Sequence, residues 1–274
     1  MTYIPYGKQT ITKEDIDNVV STLKGSFITQ GEQVPLFEKK ISEAVGAPYA
    51  IAVNSATSAL HIACLAIGLN QNDWLWTSST SFVASANCAL YCGANIDFVD
   101  INIDTGLIDP EKLKDKLIRA ARDGKLPKIL VVVHLAGTSC EMKTIRNLTK
   151  PYGIKIIEDA SHAIGGKYDN KPVGNCMYSD ISIFSFHPVK IITTGEGGMA
   201  TTKNEEYAYK MRLLRSHGIE KNKNKFIGTG KETWRYEQQF LGMNYRMTDI
   251  QAALGISQVR RLDKIIEERN NIHK

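Results

Sequence analysis

The sequence DISIFSFHPVKIITTGEGGMATT, residues 180–202, contains two runs that are typical of buried strands, joined by a loop that carries Lys190. The neighbours of Lys190 are mostly apolar, and burial disfavours the charged form of a lysine side chain. We therefore expect a lowered pKa at Lys190, which would let it serve as a free amine, a nucleophile or a general base, unless it snorkels to solvent or is ion-paired. Pro188 is expected to set the turn before the lysine, and the glycines that follow allow the chain to enter the second strand at once.

Outward from this stretch, short apolar runs alternate with helical patterns over most of the chain. The runs are nearly continuous in apolar residues, as in strands that are buried on both faces of a parallel sheet. This rhythm predicts an α/β fold with a mainly parallel, seven-stranded sheet. The predicted strands cover residues 49–54, 74–78, 96–100, 128–135, 154–159, 180–186 and 198–202. The predicted helices cover residues 11–25, 34–46, 58–69, 82–92, 109–123, 141–153, 205–218 and 248–271.

The composition is that of an ordinary globular protein: 274 residues, of which 43% are hydrophobic and 23% are charged. The formal net charge of +5 is not concentrated in a block of lysine or arginine residues, so nucleic-acid binding is poorly supported. The N-terminus lacks the basic-then-apolar pattern of a signal peptide, and no apolar run approaches the roughly 18–20 residues of a membrane span. We therefore expect a cytoplasmic protein that binds neither nucleic acid nor a membrane.

Five cysteines are scattered along the chain without CxxC spacing, which favours a reducing compartment. Cys88 and Cys92 are four residues apart on a predicted helix, a spacing that could suit a metal ion. Because no second pair of ligands lies nearby in the sequence, we interpret them as two thiols that face the core, and we expect no metal site.

Polar side chains follow several predicted strands at the point where each strand ends, which is where open α/β sheets bind their ligands. The first strand leads into Asn-Ser-Ala-Thr (residues 54–57), small residues that can present free N–H groups to a phosphate or simply cap a helix. Phe82 follows the second strand, and Asp159 and His162 come at the end of the fifth. An aromatic ring at a helix start usually packs in a core and a lone histidine is usually structural, but a carboxylate at a buried strand end is costly unless it meets a cation.

Together these groups match the parts of one cofactor. The helix start suits a phosphate, Phe82 a flat ring, Asp159 a pyridine nitrogen and Lys190 an aldehyde, and these are the groups of pyridoxal 5′-phosphate. Other chemistries lack their motifs, because the chain has neither HExxH nor GxSxG, and its clustered glycines are not followed by Lys-Ser or Lys-Thr. The residues therefore predict a pyridoxal-phosphate site at the strand ends.

Three segments resemble a known family, the sugar aminotransferases of the DegT/DnrJ type: IIEDASHAIGG (156–166), SIFSFHPVKIITTGEGG (182–198) and LGMNYRMTDIQAALG (241–255). The resemblance implies the fold of aspartate aminotransferase, which is PLP fold type I. It implies an N-terminal helical segment over 1–45, a cofactor-binding large domain over 46–245 and the start of a long helix over 246–274. Members of the family continue into a smaller C-terminal domain that helps to close the active site, and we expect this chain to lack that domain.

The resemblance also implies roles for single residues. Lys190 would bind the cofactor covalently, Asp159 would pair with the protonated pyridine nitrogen, His162 would lie near the ring hydroxyl and Phe82 would stack on the ring. The implied phosphate-binding residues are Ala56, Thr57, Ser185 and Asn244. Because Asn244 matches an asparagine that reaches the phosphate of the neighbouring subunit, a homodimer with shared active sites is implied. The implied substrate contacts are Tyr6, Ser26, Phe27, Ile28 and Thr29.

The reaction that the resemblance implies is transfer of the amino group of glutamate to C4 of a UDP-linked 4-keto-6-deoxy-N-acetyl-hexose, with Lys190 as general base and acid. Family members that dehydrate sugars have histidine in place of this lysine, so Lys190 favours amino transfer. Two alternatives stay open. One is transfer to another UDP- or dTDP-linked keto sugar, and the other is cofactor binding without turnover.

Overall fold

Helices and strands alternate along the part of the chain that the computed structural model describes, residues 7–228, 232 and 234–273. The helices in these ranges are α1 (Lys13–Lys24), α2 (Gln33–Val45), α3 (Ala56–Ile67), α4 (Ala84–Tyr91), α5 (Pro110–Asp123), α6 (Met142–Thr149), α7 (Glu205–Leu214), α8 (Asp249–Arg260) and α9 (Leu262–His273). The strands are β1 (Tyr49–Val53), β2 (Trp74–Ser78), β3 (Asn95–Val99), β4 (Ile129–Val133), β5 (Lys155–Asp159), β6 (Lys167–Tyr168), β7 (Lys171–Pro172), β8 (Ile181–Ser185), β9 (Gly198–Thr202), β10 (Ile219–Glu220) and β11 (Glu237–Gln238).

Seven of these strands form one sheet in the order β1-β9-β8-β5-β4-β2-β3, which confirms the predicted sheet. Strands β3, β2, β4, β5 and β8 are parallel, and β9 runs antiparallel to both β8 and β1. Because β9 lies antiparallel between β1 and β8, those two strands point the same way. The carboxyl ends of six strands therefore meet, together with the start of β9, at one edge of the sheet, which we call the carboxyl edge.

Both faces of the sheet are buried under helices. Ile157 and Ile183 pack with α3, α4 and α7 on one face, whereas Ile156 and Phe184 pack on the opposite face, which α2, α5, α6 and α8 cover. Each fully buried side chain of this size contributes about 1.5–3 kcal/mol to folding. Because side chains alternate along a strand, Asp159 faces the α4 side, two residues after Ile157.

The start of α2 is capped by a residue that is distant in sequence, the buried Asp249 of α8. Its carboxylate accepts the backbone N–H groups of Gly31 at 2.6 Å, Gln33 at 2.9 Å and Val34 at 3.1 Å. Gln33 and Val34 are the first two residues of α2, and a helix start leaves their N–H groups without intrahelical partners. The TDIQ part of the third family-like segment therefore holds the N-terminal helices against the sheet.

The final helix, predicted as one element over 248–271, is divided into α8 and α9 at Arg261, where φ is −103° and ψ is 5°. The Arg261 guanidinium donates to the buried Asp15 carboxylate at 2.7 Å and to the carbonyl of Thr10 at 3.3 Å. Gln258 donates to the same carboxylate at 2.9 Å. The helix is therefore interrupted at the point where its side chains bond Asp15 of α1. The prediction of one continuous helix was wrong.

Candidate active site

The polar residues that were predicted to form a site come together at the carboxyl edge. Asp159 ends β5, Ser185 ends β8, and the start of α3 follows β1. Lys190 lies in the loop between β8 and β9, and its charge interacts with Asp159 and His162. Side chains from separate chain segments therefore face one another, as the parallel topology predicts.

Asp159 presents a buried carboxylate, with 5% of the residue exposed. One oxygen accepts the hydroxyl of Ser161 at 2.6 Å and the N–H of Ser161 at 3.2 Å, and the other accepts the hydroxyl of Ser85 at 2.6 Å. Among the residues that the structure describes, no side-chain nitrogen of lysine, arginine or histidine lies within 4.0 Å of this carboxylate. A buried carboxylate without an ion-pair partner is costly, so the position suits a ligand that brings its own cationic N–H group.

Lys190 lies in a turn whose form agrees with the expected role of Pro188. The N–H of Lys190 donates to the carbonyl of His187 at 2.9 Å, and the hydroxyl of the buried Thr193 donates to the carbonyl of Phe186 at 2.9 Å. The lysine is half-buried. Burial lowers the pKa of Lys190 and the charge of Asp159 opposes this effect only in part, so the direction expected from the sequence is confirmed.

His162 is held in one tautomer beside the lysine. Its Nδ1 accepts the N–H of Ala136 at 3.2 Å, so a neutral ring carries its proton on Nε2. Burial lowers the pKa of His162, and the charge of Lys190 lowers it further against the opposing effect of Asp159. His162 can therefore donate a hydrogen bond from Nε2 without carrying a charge.

The start of α3 packs against β9, the strand between β1 and β8. The contact leaves no space for a side chain on β9 at Gly198. Val53 of β1 and Ser185 of β8 both pair with Gly198, and a Cβ atom on Gly198 would lie 2.4 Å from the carbonyl group of Ser55. Ser55 caps α3, so the N–H groups of the first helical residues, Ala56 and Thr57, have no partner within the helix. The dipole and free N–H groups of such a helix start suit a phosphate, and Ser185 lies beside them across Gly198.

Phe82 is 71% exposed, so it does not pack in the core as an aromatic residue at a helix start usually does. It lies in the turn before α4, because that helix begins at Ala84 and not at residue 82 as predicted. The N–H of Ser85 donates to the carbonyl of Phe82 at 3.1 Å. The exposed ring is available to stack on a flat ligand.

Comparison with known proteins decides the family. Residues 9–274 match the DegT/DnrJ/EryC1/StrS aminotransferase family. The chain belongs to this family. The match includes the three segments on which the resemblance was based, and it agrees with the positions of Asp159 and Lys190 at one edge of the sheet.

The relatives of this aminotransferase chain include proteins that act on sugars. UDP-4-amino-4,6-dideoxy-N-acetyl-beta-L-altrosamine transaminase of Campylobacter jejuni is 44% identical over 269 residues, which cover 98% of this chain and 67% of the relative. The solved structure of Helicobacter pylori PseC, an aminotransferase involved in the biosynthesis of pseudoaminic acid, is 35% identical with a TM-score of 0.84, and covers 96% of this chain and 66% of that one. Spr1654 of Streptococcus pneumoniae, solved in its PMP form, is 29% identical with a TM-score of 0.88, and covers 98% of this chain and 70% of that one. The chain thus spans about two thirds of the length of these relatives.

The family and the PLP and PMP forms of Spr1654 indicate pyridoxal 5′-phosphate as the cofactor of this aminotransferase. The carboxyl edge fits this group. The Asp159 carboxylate suits the pyridine nitrogen, the exposed Phe82 ring suits the flat ring, and the α3 start suits the phosphate. The half-buried amine of Lys190 suits the aldehyde.

The roles of the other predicted site residues stay predictions. Asn244 is exposed and forms a β-bridge with Ser216, and the carbonyl of the next residue, Tyr245, accepts the N–H of Asn54 at 2.9 Å. Residues 26–29 are all exposed, and the carbonyl of Ile28 accepts the N–H of Asp249 at 3.0 Å. Tyr6 lies outside the described residues.

A cleft of about 180 Å³ borders Lys190 on the side of the N-terminal segment. Residues 8–10 form one wall, and Gln258 and Arg261 form part of the wall contributed by α8 and α9. The chain that follows Tyr6 therefore runs beside the lysine.

One buried pair of polar side chains next to Asp159 was not predicted from the sequence. Glu158 of β5 and His134, the residue after β4, bond at 2.8 Å. The N–H of Cys140 donates to His134 Nδ1 at 3.2 Å, which leaves the Nε2 proton to face Glu158. Burial raises the pKa of Glu158, but the bonds from His134, Ser179 and Ser182 outweigh it and hold the pKa below its ordinary value. The signal was present, because a glutamate inside an apolar strand needs a partner, and a histidine ends the adjacent strand.

The interpretation of the cysteines was partly right. Cys88 is buried, whereas Cys92 is half-buried at the end of α4. Hydrogen bonds with both thiols, together with burial, raise the pKa of Cys64 on α3.

Among the described residues, no group of three or more histidine, cysteine, aspartate or glutamate side chains is arranged to hold a metal ion. Nor does any helix within the described ranges have the length and apolar character needed to span a bilayer.

Proposed function

We propose that this chain transfers the amino group of glutamate to C4 of a UDP-linked 4-keto-6-deoxy-N-acetyl-hexose, giving UDP-4-amino-4,6-dideoxy-N-acetyl-β-L-altrosamine in pseudaminic acid biosynthesis. The proposal rests on Lys190, which faces Asp159 and His162 at the carboxyl edge. The 44% identity to the Campylobacter jejuni transaminase supports the substrate. The cytoplasmic location expected from the sequence is part of the same proposal.

The residues at the carboxyl edge divide the work. The bound cofactor supplies an electron sink and carries the amino group between the two half-reactions. Lys190, with its lowered pKa, can accept a proton and return it. With the cofactor bound, Asp159 would accept the N–H of the pyridine ring and His162 would donate a hydrogen bond from Nε2 to the ring hydroxyl. Ala56, Thr57 and Ser185 would hold the phosphate.

The proposed domain division places this work in residues 46–245, between an N-terminal helical segment, 1–45, and the region 246–274. We further propose a homodimer in which Asn244 of one subunit reaches the phosphate held by the other. Tyr6 and residues 26–29 are proposed to contact the nucleotide sugar. The cleft beside Lys190 is lined by residues 8–10, which supports a role in substrate binding for the N-terminal segment.

Covalent trapping tests the lysine. After incubation with pyridoxal phosphate and reduction with borohydride, peptide mass spectrometry is expected to find the adduct on Lys190. Lys190→Ala should lose the adduct. Lys155→Ala is the matched control and should keep it, because Lys155 begins β5 and pairs with Asp180 at 3.5 Å. An adduct that stays in Lys190→Ala would show that the assignment is wrong.

Turnover tests the substrate. The chain should release 2-oxoglutarate from glutamate in the presence of the UDP-linked 4-keto sugar, and it should do so faster than with dTDP-linked keto sugars. Faster release with another keto sugar would replace the proposed substrate. Trapping at Lys190 without release from any keto sugar would favour a protein that binds the cofactor without turnover.

A further inference from the structure

The Asp159 carboxylate is oriented by serines from two parts of the chain. Ser161 follows it closely in sequence, and its N–H and hydroxyl both reach one carboxylate oxygen. Ser85 comes from α4, 74 residues earlier, and its hydroxyl reaches the other oxygen at 2.6 Å. Ser85 is fully buried, with 0% of the residue exposed. With both oxygens engaged, the plane of the carboxylate is fixed by hydrogen bonds.

Ser85 also connects this carboxylate to the turn that carries Phe82. Its N–H donates to the carbonyl of Phe82 at 3.1 Å, and its hydroxyl accepts from the hydroxyl of Ser81 at 2.8 Å. A hydroxyl has one proton, so a serine that accepts from Ser81 is left to donate to Asp159. Ser81 and Ser85 thus set both the direction of the bond to Asp159 and the position of the Phe82 turn.

We propose that Ser85 is a positioning residue for cofactor binding, which holds the Asp159 carboxylate in the orientation that receives the pyridine nitrogen and holds Phe82 over the same ring. This inference rests on the proposed function. It goes beyond that function because Ser85 touches neither the substrate nor the reacting atoms and acts through Asp159 and Phe82. Ser81, which is half-exposed in the same turn, supports Ser85 by donating its hydroxyl to the hydroxyl of Ser85.

Cofactor dissociation is the decisive measurement. Ser85→Ala should weaken pyridoxal phosphate binding about 10- to 100-fold, because a hydrogen bond to a charged group is lost inside the protein. It should also shift the pH midpoint of the absorption band of the bound cofactor. Ser85→Thr keeps the hydroxyl and should restore both properties. Ser81→Ala should weaken binding by only a few fold, since it removes the support and leaves the bond to Asp159.

Ser257→Ala is the matched control. Ser257 is a buried serine of α8 whose hydroxyl donates to the Asp15 carboxylate, so it makes the same kind of bond away from the carboxyl edge. It should lower the temperature of unfolding and leave cofactor affinity and the spectral midpoint unchanged. A merely structural Ser85 would behave in the same way as Ser257.

The outcomes separate this inference from the function on which it rests. If the wild-type chain gives no adduct at Lys190, the proposed function fails first. If the wild-type chain binds the cofactor and Ser85→Ala matches it in affinity and spectral midpoint, the inference is overturned. Should Ser85→Ala fail to fold, wild-type affinity in Ser81→Ala together with weakened affinity in a folded Ser85→Thr, which keeps the hydroxyl, would overturn it as well.

Discussion

At the scale of single residues, the proposed phosphate-binding part of the site depends on the absence of a side chain at Gly198. Gly198 pairs with Val53 on one side and with Ser185 on the other, and the backbone of Ser55 lies against it. A Cβ atom there would be 2.4 Å from the carbonyl carbon and oxygen of Ser55 and 2.5 Å from the nitrogen of Ala56. Because these neighbours are backbone atoms, the start of α3 would have to move to make room.

Gly198→Ala is therefore expected to destabilise the chain by about 1–3 kcal/mol and to weaken binding of pyridoxal phosphate. Gly124→Ala provides the comparison, because Gly124 has φ of +67° with no heavy atom within 4 Å of the added Cβ. That variant should lose about 1–2 kcal/mol through backbone strain alone and keep its cofactor affinity. Denaturant unfolding and cofactor titration measure the two effects, and equal affinities in both variants would contradict the prediction.

Some residues of the site could be predicted from the sequence and others could not, for a physical reason. Lys190 and Asp159 could be predicted, because a charge inside an apolar run is recognisable within a few residues of sequence. The partners of the carboxylate could not all be predicted. Ser161 lies two residues after Asp159, but Ser85 lies 74 residues before it and becomes a neighbour only when α4 packs on the sheet. A serine in a helix gives no sign in the sequence of which carboxylate it meets.

At the scale of elements, the adjacent ends of β4 and β5 are joined by more than the strand ladder. The N–H of His134 donates to the carbonyl of Asp159 at 3.1 Å, and the side chain of His134 bonds Glu158 at 2.8 Å. The turn after β4 then brings Ala136 to His162, with Ala136 at a φ of +54°, a conformation that is costly for alanine. The end of β4 and the turn after it therefore contact two proposed cofactor-binding residues, Asp159 and His162, through backbone N–H groups.

Glu158→Gln should lower the free energy of unfolding at neutral pH by about 3 kcal/mol, because it breaks the buried hydrogen-bonded pair of the Glu158 carboxylate with His134. The pKa of Glu158 is lowered in the folded chain, so its stabilising effect is fully present above the ordinary value of 4.5 and disappears as the pH falls through the folded value. The difference between wild type and variant should therefore shrink under acid conditions.

Urea unfolding at neutral pH and at a series of pH values below 4.5 measures this difference. Glu111→Gln removes only an exposed pairing with Lys114 and should change stability by less than about 1 kcal/mol at every pH. A difference for Glu158→Gln that stays constant across the series would show that the carboxylate charge is not the source of the stabilisation.

The elements themselves were largely predictable, because runs rich in isoleucine and valine mark strands that are buried on two faces. Runs of this kind mark β4, β5 and β8, whereas β2 is marked by tryptophan and leucine, and β9 by the glycines before it. The interruption between α8 and α9 was missed. Its cause is the ion pair of Arg261 with Asp15, which are 246 residues apart, whereas the local pattern continues as a helix.

At the scale of the whole molecule, apolar side chains of α4 and the turn before it point away from the core. Val83 and Leu90 lie two helical turns apart on the same face and are 63% and 54% exposed, and Phe82 beside them is 71% exposed. A contiguous exposed apolar patch is a feature of protein interaction sites. The patch includes Phe82, which is proposed to stack on the cofactor, and this agrees with the proposed homodimer and its shared active sites.

Light scattering should accordingly give the mass of two chains. Leu90→Arg should shift the protein towards a single chain, because a charge would be buried in the interface. Ile103→Arg serves as the control, since Ile103 is 88% exposed in the segment between β3 and α5 and should not affect assembly. Equal masses for Leu90→Arg and the wild type would exclude this α4 face as the interface.

Mixing two defective chains tests whether the active site is shared. Lys190→Ala lacks the amine and Asn244→Ala lacks the proposed phosphate contact, so each homodimer should retain little cofactor. In a mixed dimer one site combines Lys190 of the second chain with Asn244 of the first, and random exchange should restore about a quarter of the wild-type sites. Trapping with borohydride after unfolding and refolding the mixture counts them. If Asn244 serves the site of its own chain, every site in the mixture lacks one of the two groups, and no adduct is recovered beyond that of the separate variants.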